Sequence, residues 1–210
     1  MGIKFLLATY LPYIVILNFS RYPMNGTPQL NKGDLLLSEP FLGDENFERS
    51  VLLVCEHNEE GSLGFVLNKP SLLTLEDVLD EVSGYDSPLY TGGPVQQNTL
   101  HFIHRLPALA SGADRLNENI YWGGDFEELL SMVNTRQLRT DDIRFFAGYS
   151  GWSPGQLAAE LSENAWIVYH KASSSQVFDL PTEQLWQEVL RTMGGKYRMF
   201  SNYPIDPRLN

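Results

Sequence analysis

Two stretches carry the side chains that chemistry would use first. Gly148-Tyr149-Ser150-Gly151-Trp152 sets a serine between glycines where a strand is expected to turn into a helix. That is the setting of a serine nucleophile elbow, but G-x-S-x-G needs a glycine where Trp152 stands. The plainer reading is a tight turn, with Ser153 capping the helix and Pro154 at its first position. The second stretch holds Cys55, the only cysteine, two places before His57. On a strand these share a face, so a protonated His57 would lower the thiol's pKa and make the pair a redox candidate. Their side-by-side projection is loose for the direct hydrogen bond an activated thiolate needs. A buried cysteine acting as a small apolar residue is the plainer reading.

Glycine-rich turns are the better ligand candidates. Gly92-Gly93, Gly123-Gly124 and the Gly151 to Gly155 loop each follow an expected strand. Exposed N–H groups at such turns and at helix N-termini bind carboxylate or phosphate. The candidate ligand-binding residues are therefore Gly92, Gly93, Gly123, Gly124, Ser150, Gly151 and Ser153. If the loops cluster, they form a small-molecule pocket; otherwise the glycines serve tight turns or close packing. His101 and His104 fall on opposite faces of one strand, and no paired-cysteine or H-E-x-x-H spacing exists, so no metal is expected. No cofactor motif is present. The acidic residues Asp44 to Glu48, Glu59 and Glu60 read as solvated loop charges.

The elements that position these groups centre on Ser50 to Pro70. Val51 to His57 and Leu63 to Leu67 read as a hairpin joined by a loop containing Gly61. Both runs are dense in Val, Leu and Phe, which predicts a central position with both faces covered. Pro70 is expected to end the second strand. Leu75, Val78, Leu79 and Val82 have helical spacing after Thr74. Further strands are expected at Leu35 to Leu37, Pro88 to Thr91, Thr99 to Arg105, Ile120 to Trp122, Ile143 to Tyr149 and Trp166 to Tyr169. On Ile143 to Tyr149, alternation places Ile143, Phe145, Ala147 and Tyr149 on one side. Further helices are expected at Phe126 to Val133 behind Asp125, after Ser153 with Leu157, Ala158 and Leu161 inward, and at Pro181 to Met193, stopped by Gly194. Hairpins followed by strand–helix alternation predict a mixed sheet with helices outside.

The chain of 210 residues is long enough for one core and one domain. Its formal net charge of −11 argues against direct binding to nucleic acid or an anionic membrane. A lone cysteine fits a reducing cytoplasm. Phe5 to Phe19 is apolar but interrupted by Pro12 and short of a spanning helix. It reads either as a poor secretory or anchoring segment or as sequence upstream of a natural start at Met24; the second is favoured. Residues 1–30 are accordingly set apart from a domain at 31–210.

Several ordered motifs then point to one family. SEPFLGDENFERSVLLVCEHNEEGSLGFVLNKP, LYTGGPV, IYWGGDFEEL and RFFAGYSGWSPGQLAAEL closely resemble the AlgH/YqgE family of bacterial proteins. The likeness runs from about Gly33 to the last helix. It implies an α+β, mixed α/β fold: a single domain with a bifurcated sheet bent into a pseudo-barrel and flanking helices. It implies a transcriptional regulator by name and brings no established catalytic residues. Residues and resemblance together lead to the expectation of a cytoplasmic, non-enzymatic binding or regulatory protein with a protein partner or small-molecule ligand. The alternatives are a small-molecule or phosphate-ester hydrolase using the glycine loops with Ser150 or Cys55, and a pure interaction module with an exposed apolar patch.

Overall fold

In the computed structural model, residues 29–170 and 172–204 are described. The apolar stretch before Ser20 and the proposed start at Met24 lie outside them. The expected central hairpin is present as β2 (Val51–Asn58) and β3 (Gly61–Val66). β1 (Leu35–Ser38) and β10 (Trp166–Tyr169) extend it on one side, giving the order β10-β1-β2-β3. Beyond β3 comes β9 (Ile143–Trp152), then β6 (Val95–His104), β8 (Tyr121–Trp122) and β7 (Asp114–Arg115).

The sheet branches at β9. Its second half, Ser150 to Trp152, pairs antiparallel with β3. Its first half, Phe145 to Ala147, pairs parallel with β5 (Pro88–Thr91), which carries β4 (Pro70–Thr74) at its far edge. β6 pairs with β9 along its other side. The branch is thus one long strand changing partners. The sheet does not close into a barrel, since β10 and β7 end the path unpaired with each other.

Both faces of the base of the hairpin, Val51 to Cys55 and Gly64 to Leu67, are covered, as its apolar residues require, while its tip from Glu56 to Leu63 reaches outward. Leu53, Phe65 and Leu67 pack beneath α3 (Ser174–Phe178) and α4 (Leu185–Met193), around the fully buried Trp186. Leu52, Val54 and Val66 pack on the other face against Leu157 and Leu161 of α2 (Gln156–Ser162). A separate core lies behind the β5–β9–β6 arm, where Phe102, Ile143 and Phe145 meet Leu129 and Val133 of α1 (Phe126–Asn134). α5 (Gly195–Phe200) follows α4 after Gly194, which ends that helix at φ +70°.

Four local expectations are corrected. Leu75 to Val82 is not a helix: only Leu75–Asp77 makes one 3-10 turn, and Val78 is exposed. Ser87 O bonding to Leu75 N–H ties that turn to the β4–β5 pair instead. Pro70 opens β4 rather than ending β3, because β4 is an edge strand that tolerates a missing donor. The helix after the serine turn starts at Gln156, with Gly155 as its N-cap in the left-handed region. Ser153 Oγ instead donates to the Gln156 side chain at 3.1 Å. Finally, Tyr149 does not share a side with Phe145. Gly148, at φ +67°, breaks the alternation, so Phe146 and Tyr149 both face the α4 side.

Candidate functional site

The branch is built from glycines and one serine. Gly92 N–H donates to the Ala147 carbonyl at 3.0 Å, and Gly92 O accepts from Val66 N–H at 2.9 Å. Gly92 thereby stitches β9 to β3 where the arms part. Ser150 Oγ donates to the same carbonyl at 3.1 Å. Gly93 packs directly on this junction: a Cβ there would stand 2.4 Å from Ser150 N. Gly148 needs its positive φ, and its missing side chain admits the Val95 carbonyl. The chain from Gly93 to Gln97 then bulges outward, with Gln96 at φ +45° and a register shift between Val95 and Leu100.

Two open clefts of about 430 Å³ each use this bulge as a shared wall. The first also draws on Glu45, Lys69 and Thr91. Lys69 Nζ is held by the carbonyls of Glu45 and Asn46 at 2.9 and 2.8 Å. Burial pulls its pKa below the ordinary value, against the opposing charges of Glu48 and Asp44. The second cleft combines Glu56 and Glu60 with Tyr149, Gly151 and Trp152. An aromatic floor beside a carboxylate rim suits a neutral or cationic polar group rather than an anion.

The expected site residues divide between this place and others. Gly92, Gly93, Ser150 and Gly151 come together at the branch. Gly123 and Gly124 do not join them. Gly123 N–H donates to Phe102 O at 3.0 Å, and Phe102 pairs with Phe145 while Val95 pairs with Tyr149. Four residues along β9 separate those registers by about 13 Å. Gly123 O is instead the partner of His104 Nε2 at 2.9 Å. Ser153 is exposed at the start of the α2 turn.

Neither nucleophile candidate has an activating base. Ser150 is 1% exposed, with its proton given to a carbonyl. Cys55 lies in the core, its Sγ donating to Leu53 O at 3.7 Å. Burial pushes its thiol well above the ordinary value, and the charge of Asp114 adds to that. Cys55 sits at a bulge between Val54 and Glu56, beyond which the strand turns outward. His57 is exposed, its Nδ1 2.7 Å from Ser62 Oγ. His101 and His104 occupy opposite faces, as alternation requires: His101 packs against Phe65 and Tyr149, and His104 stacks on Tyr121. Burial lowers the pKa of both. Among the described residues no three His, Cys, Asp or Glu side chains are grouped to hold a metal, and no helix is long and apolar enough to cross a membrane.

Sequence reasoning missed Gln96, Lys69 and the role of Gly148. Only Gly148 left a signal, a glycine inside an otherwise strong strand, which often marks a bulge or a close backbone approach.

The fold and its glycine-built branch define a single-domain α+β protein with an open, bifurcated sheet. The chain belongs to the AlgH-like family, whose model matches residues 35–198. It is 48% identical over 182 residues to a UPF0301 protein of Cytophaga hutchinsonii, covering 86% of this chain and 100% of that one. A UPF0301 protein of Chlorobium luteolum is 42% identical over 186 residues, 89% and 98% of the two chains. Among solved structures, a protein of Corynebacterium diphtheriae matches with TM-score 0.68 at 26% identity, over 85% of this chain and 95% of that one. The solution structure of the AlgH protein of Pseudomonas aeruginosa matches with TM-score 0.67 at 28% identity, over 87% and 98%.

Proposed function

We propose that the protein is a non-enzymatic binding and regulatory protein of the cytoplasm. It takes a small polar ligand in the clefts beside Gly93 to Gln97 and acts on transcription only through a protein partner. The observation that carries this reading is the state of Ser150 and Cys55. Both are buried with their protons directed at backbone carbonyls, while the accessible space lies beside them and holds no activated nucleophile. The absence of direct nucleic-acid contact rests on the net charge of −11.

A thermal-shift screen of small polar compounds tests it, because a ligand of the folded state stabilises by mass action. Hits are expected that weaken in Gln97→Ala, an exposed cleft residue. Covalent trapping of Ser150 in the native protein by a serine-reactive probe would instead favour the hydrolase. Micromolar duplex binding near physiological salt would overturn the indirect mode.

One surface favours a protein partner. Leu72 is fully exposed and Leu73 half-exposed on β4, the outer strand of its arm, with Val78 exposed nearby in sequence. Unpaired edges with apolar side chains are pairing sites. Leu72→Ser should leave folding intact and reduce capture of a partner.

A further inference from the structure

Of the lysines and arginines described, Arg144 is the most deeply buried, at 6% exposure. It forms no ion pair with any described carboxylate. Arg105, Arg139 and Arg191 each have at least one. Asp179 lends Arg144 some opposing charge, but is itself bound by Arg105 at 2.6 Å. What Arg144 does have is one carbonyl and one ring. Nη1 donates to Leu67 O at 2.8 Å, and the guanidinium lies 5.3 Å from the centre of Tyr90.

This arrangement is unusual on energetic grounds. An unpaired buried charge is costly, and arginine cannot escape by losing its proton. Burial does push its guanidinium below the ordinary value, against Tyr90 and Asp179, yet arginine starts too high for that to discharge it near neutral pH. The remaining nitrogens, Nε and Nη2, donate to no described group. The unpartnered edge of the guanidinium is therefore its Nε–Nη2 fork. That edge meets two oxygens of a carboxylate or phosphate at once.

We propose that Arg144, laid on Tyr90, is an oxyanion-binding residue that takes the phosphate or carboxylate of a small molecule through Nε and Nη2. The site is separate from the branch clefts, neither of which is lined by Arg144. Either reading can fail without the other.

The full chain is titrated with inorganic phosphate and with acetate, against chloride at matched ionic strength. The readouts are the NMR resonance of the Arg144 Nε–H and the melting temperature. A saturable shift of that resonance with a rise in melting temperature is expected for at least one anion. A response to phosphate alone assigns a phosphate-bearing ligand, and a response to acetate alone a carboxylate. Arg144→Lys keeps the charge but loses the fork, and should weaken binding about tenfold or more. Arg144→Gln should abolish the response, while Arg139→Gln, at an exposed ion pair, should leave it unchanged. No saturable response beyond chloride, or an equal response in Arg144→Gln, overturns the proposal. If Arg144→Gln does not fold, the wild-type Nε–H titration and Arg144→Lys decide it.

Discussion

Ser150 Oγ donates to the carbonyl of Gly92 at 3.1 Å, across the point where the sheet divides. The serine that looks most like a nucleophile is therefore a fastener. Its loss should be mild, because Gly92 O keeps its bond from Val66 N–H at 2.9 Å. Ser150→Ala is expected to cost about 1 kcal/mol in urea denaturation, the ordinary worth of one hydrogen bond. It should leave labelling by serine-reactive probes as weak as in the parent. Strong labelling of the parent at Ser150 would contradict this.

The glycines separate into those that admit a neighbour and those that only need a conformation. At Gly93 a Cβ would meet Ser150 N and Tyr149 C at 2.4 Å, backbone atoms that cannot move aside without parting the branch. Gly93→Ala should cost about 3 kcal/mol or more, or prevent folding. At Gly155, φ is +76° but nothing stands within 4 Å. Gly155→Ala should cost only about 1 kcal/mol, the strain of a left-handed residue. Equal costs from equilibrium denaturation would show that close approach at Gly93 is not what matters.

The helix cap distinguishes the sequence expectation from the structure. Gly155 stands at the N-cap, and Ser153 bonds the side chain of Gln156. Ser153→Ala should therefore change stability by no more than about 0.5 kcal/mol, as exposed substitutions do. A loss near 1 kcal/mol would mean that the serine caps the helix after all.

What was legible in the chain followed from periodicity. The Val-, Leu- and Phe-rich runs between Val51 and Leu67 showed a hairpin whose base is buried on both faces, and Phe126 to Val133 showed α1 behind its Asp125 cap, whose Oδ1 accepts from Glu127 and Glu128 N–H. Periodicity misled at Leu75 to Val82, where helical spacing arose by coincidence in a segment whose Leu75 N–H donates to Ser87 O, just before β5. The change of partner along β9 was not legible, because each half of Ile143 to Trp152 reads as an ordinary strand. Only contacts distant in sequence decide that Ala147 meets Thr91 while Ser150 meets Gly64. The unpaired state of Arg144 was hidden for the same reason: Leu67 lies 77 residues away.

Cys55 makes a pH prediction. Burial raises its folded pKa well above 9.0, so the neutral thiol is the form the native state accepts. A group raised in the folded state contributes stability in full below its unfolded pKa and loses it as pH rises toward the folded value. Stability should therefore fall as pH climbs past about 9, as the unfolded thiol ionises. Cys55→Ala should lower stability at pH 7 through lost packing, yet flatten that alkaline decline. Alkylation should wait for unfolding. Fast labelling of the native protein, weakened by His57→Ala, would restore Cys55 and His57 as the redox pair considered from the sequence.

Glu160 supplies the last prediction. Its Oε2 accepts from the indoles of Trp152 at 2.9 Å and Trp166 at 2.7 Å, and its Oε1 accepts from Gln156 Nε2 at 3.0 Å. The rings meet edge to face with centroids 6.0 Å apart, and both tryptophans are nearly buried, at 7% and 5% exposure. One carboxylate oxygen on α2 thus holds the end of β9 and the start of β10 to the helix. Glu160→Ala leaves two indole N–H groups in a largely dry place, and an unsatisfied buried donor costs about 1–3 kcal/mol. A total loss of about 3 kcal/mol is expected, since the two indoles share one acceptor and their losses do not simply add. Glu160→Gln keeps one carbonyl oxygen for them and should lose less than half as much. Denaturation followed by tryptophan fluorescence measures both. Equal losses for the two variants would mean that the negative charge, rather than the acceptor, holds the indoles.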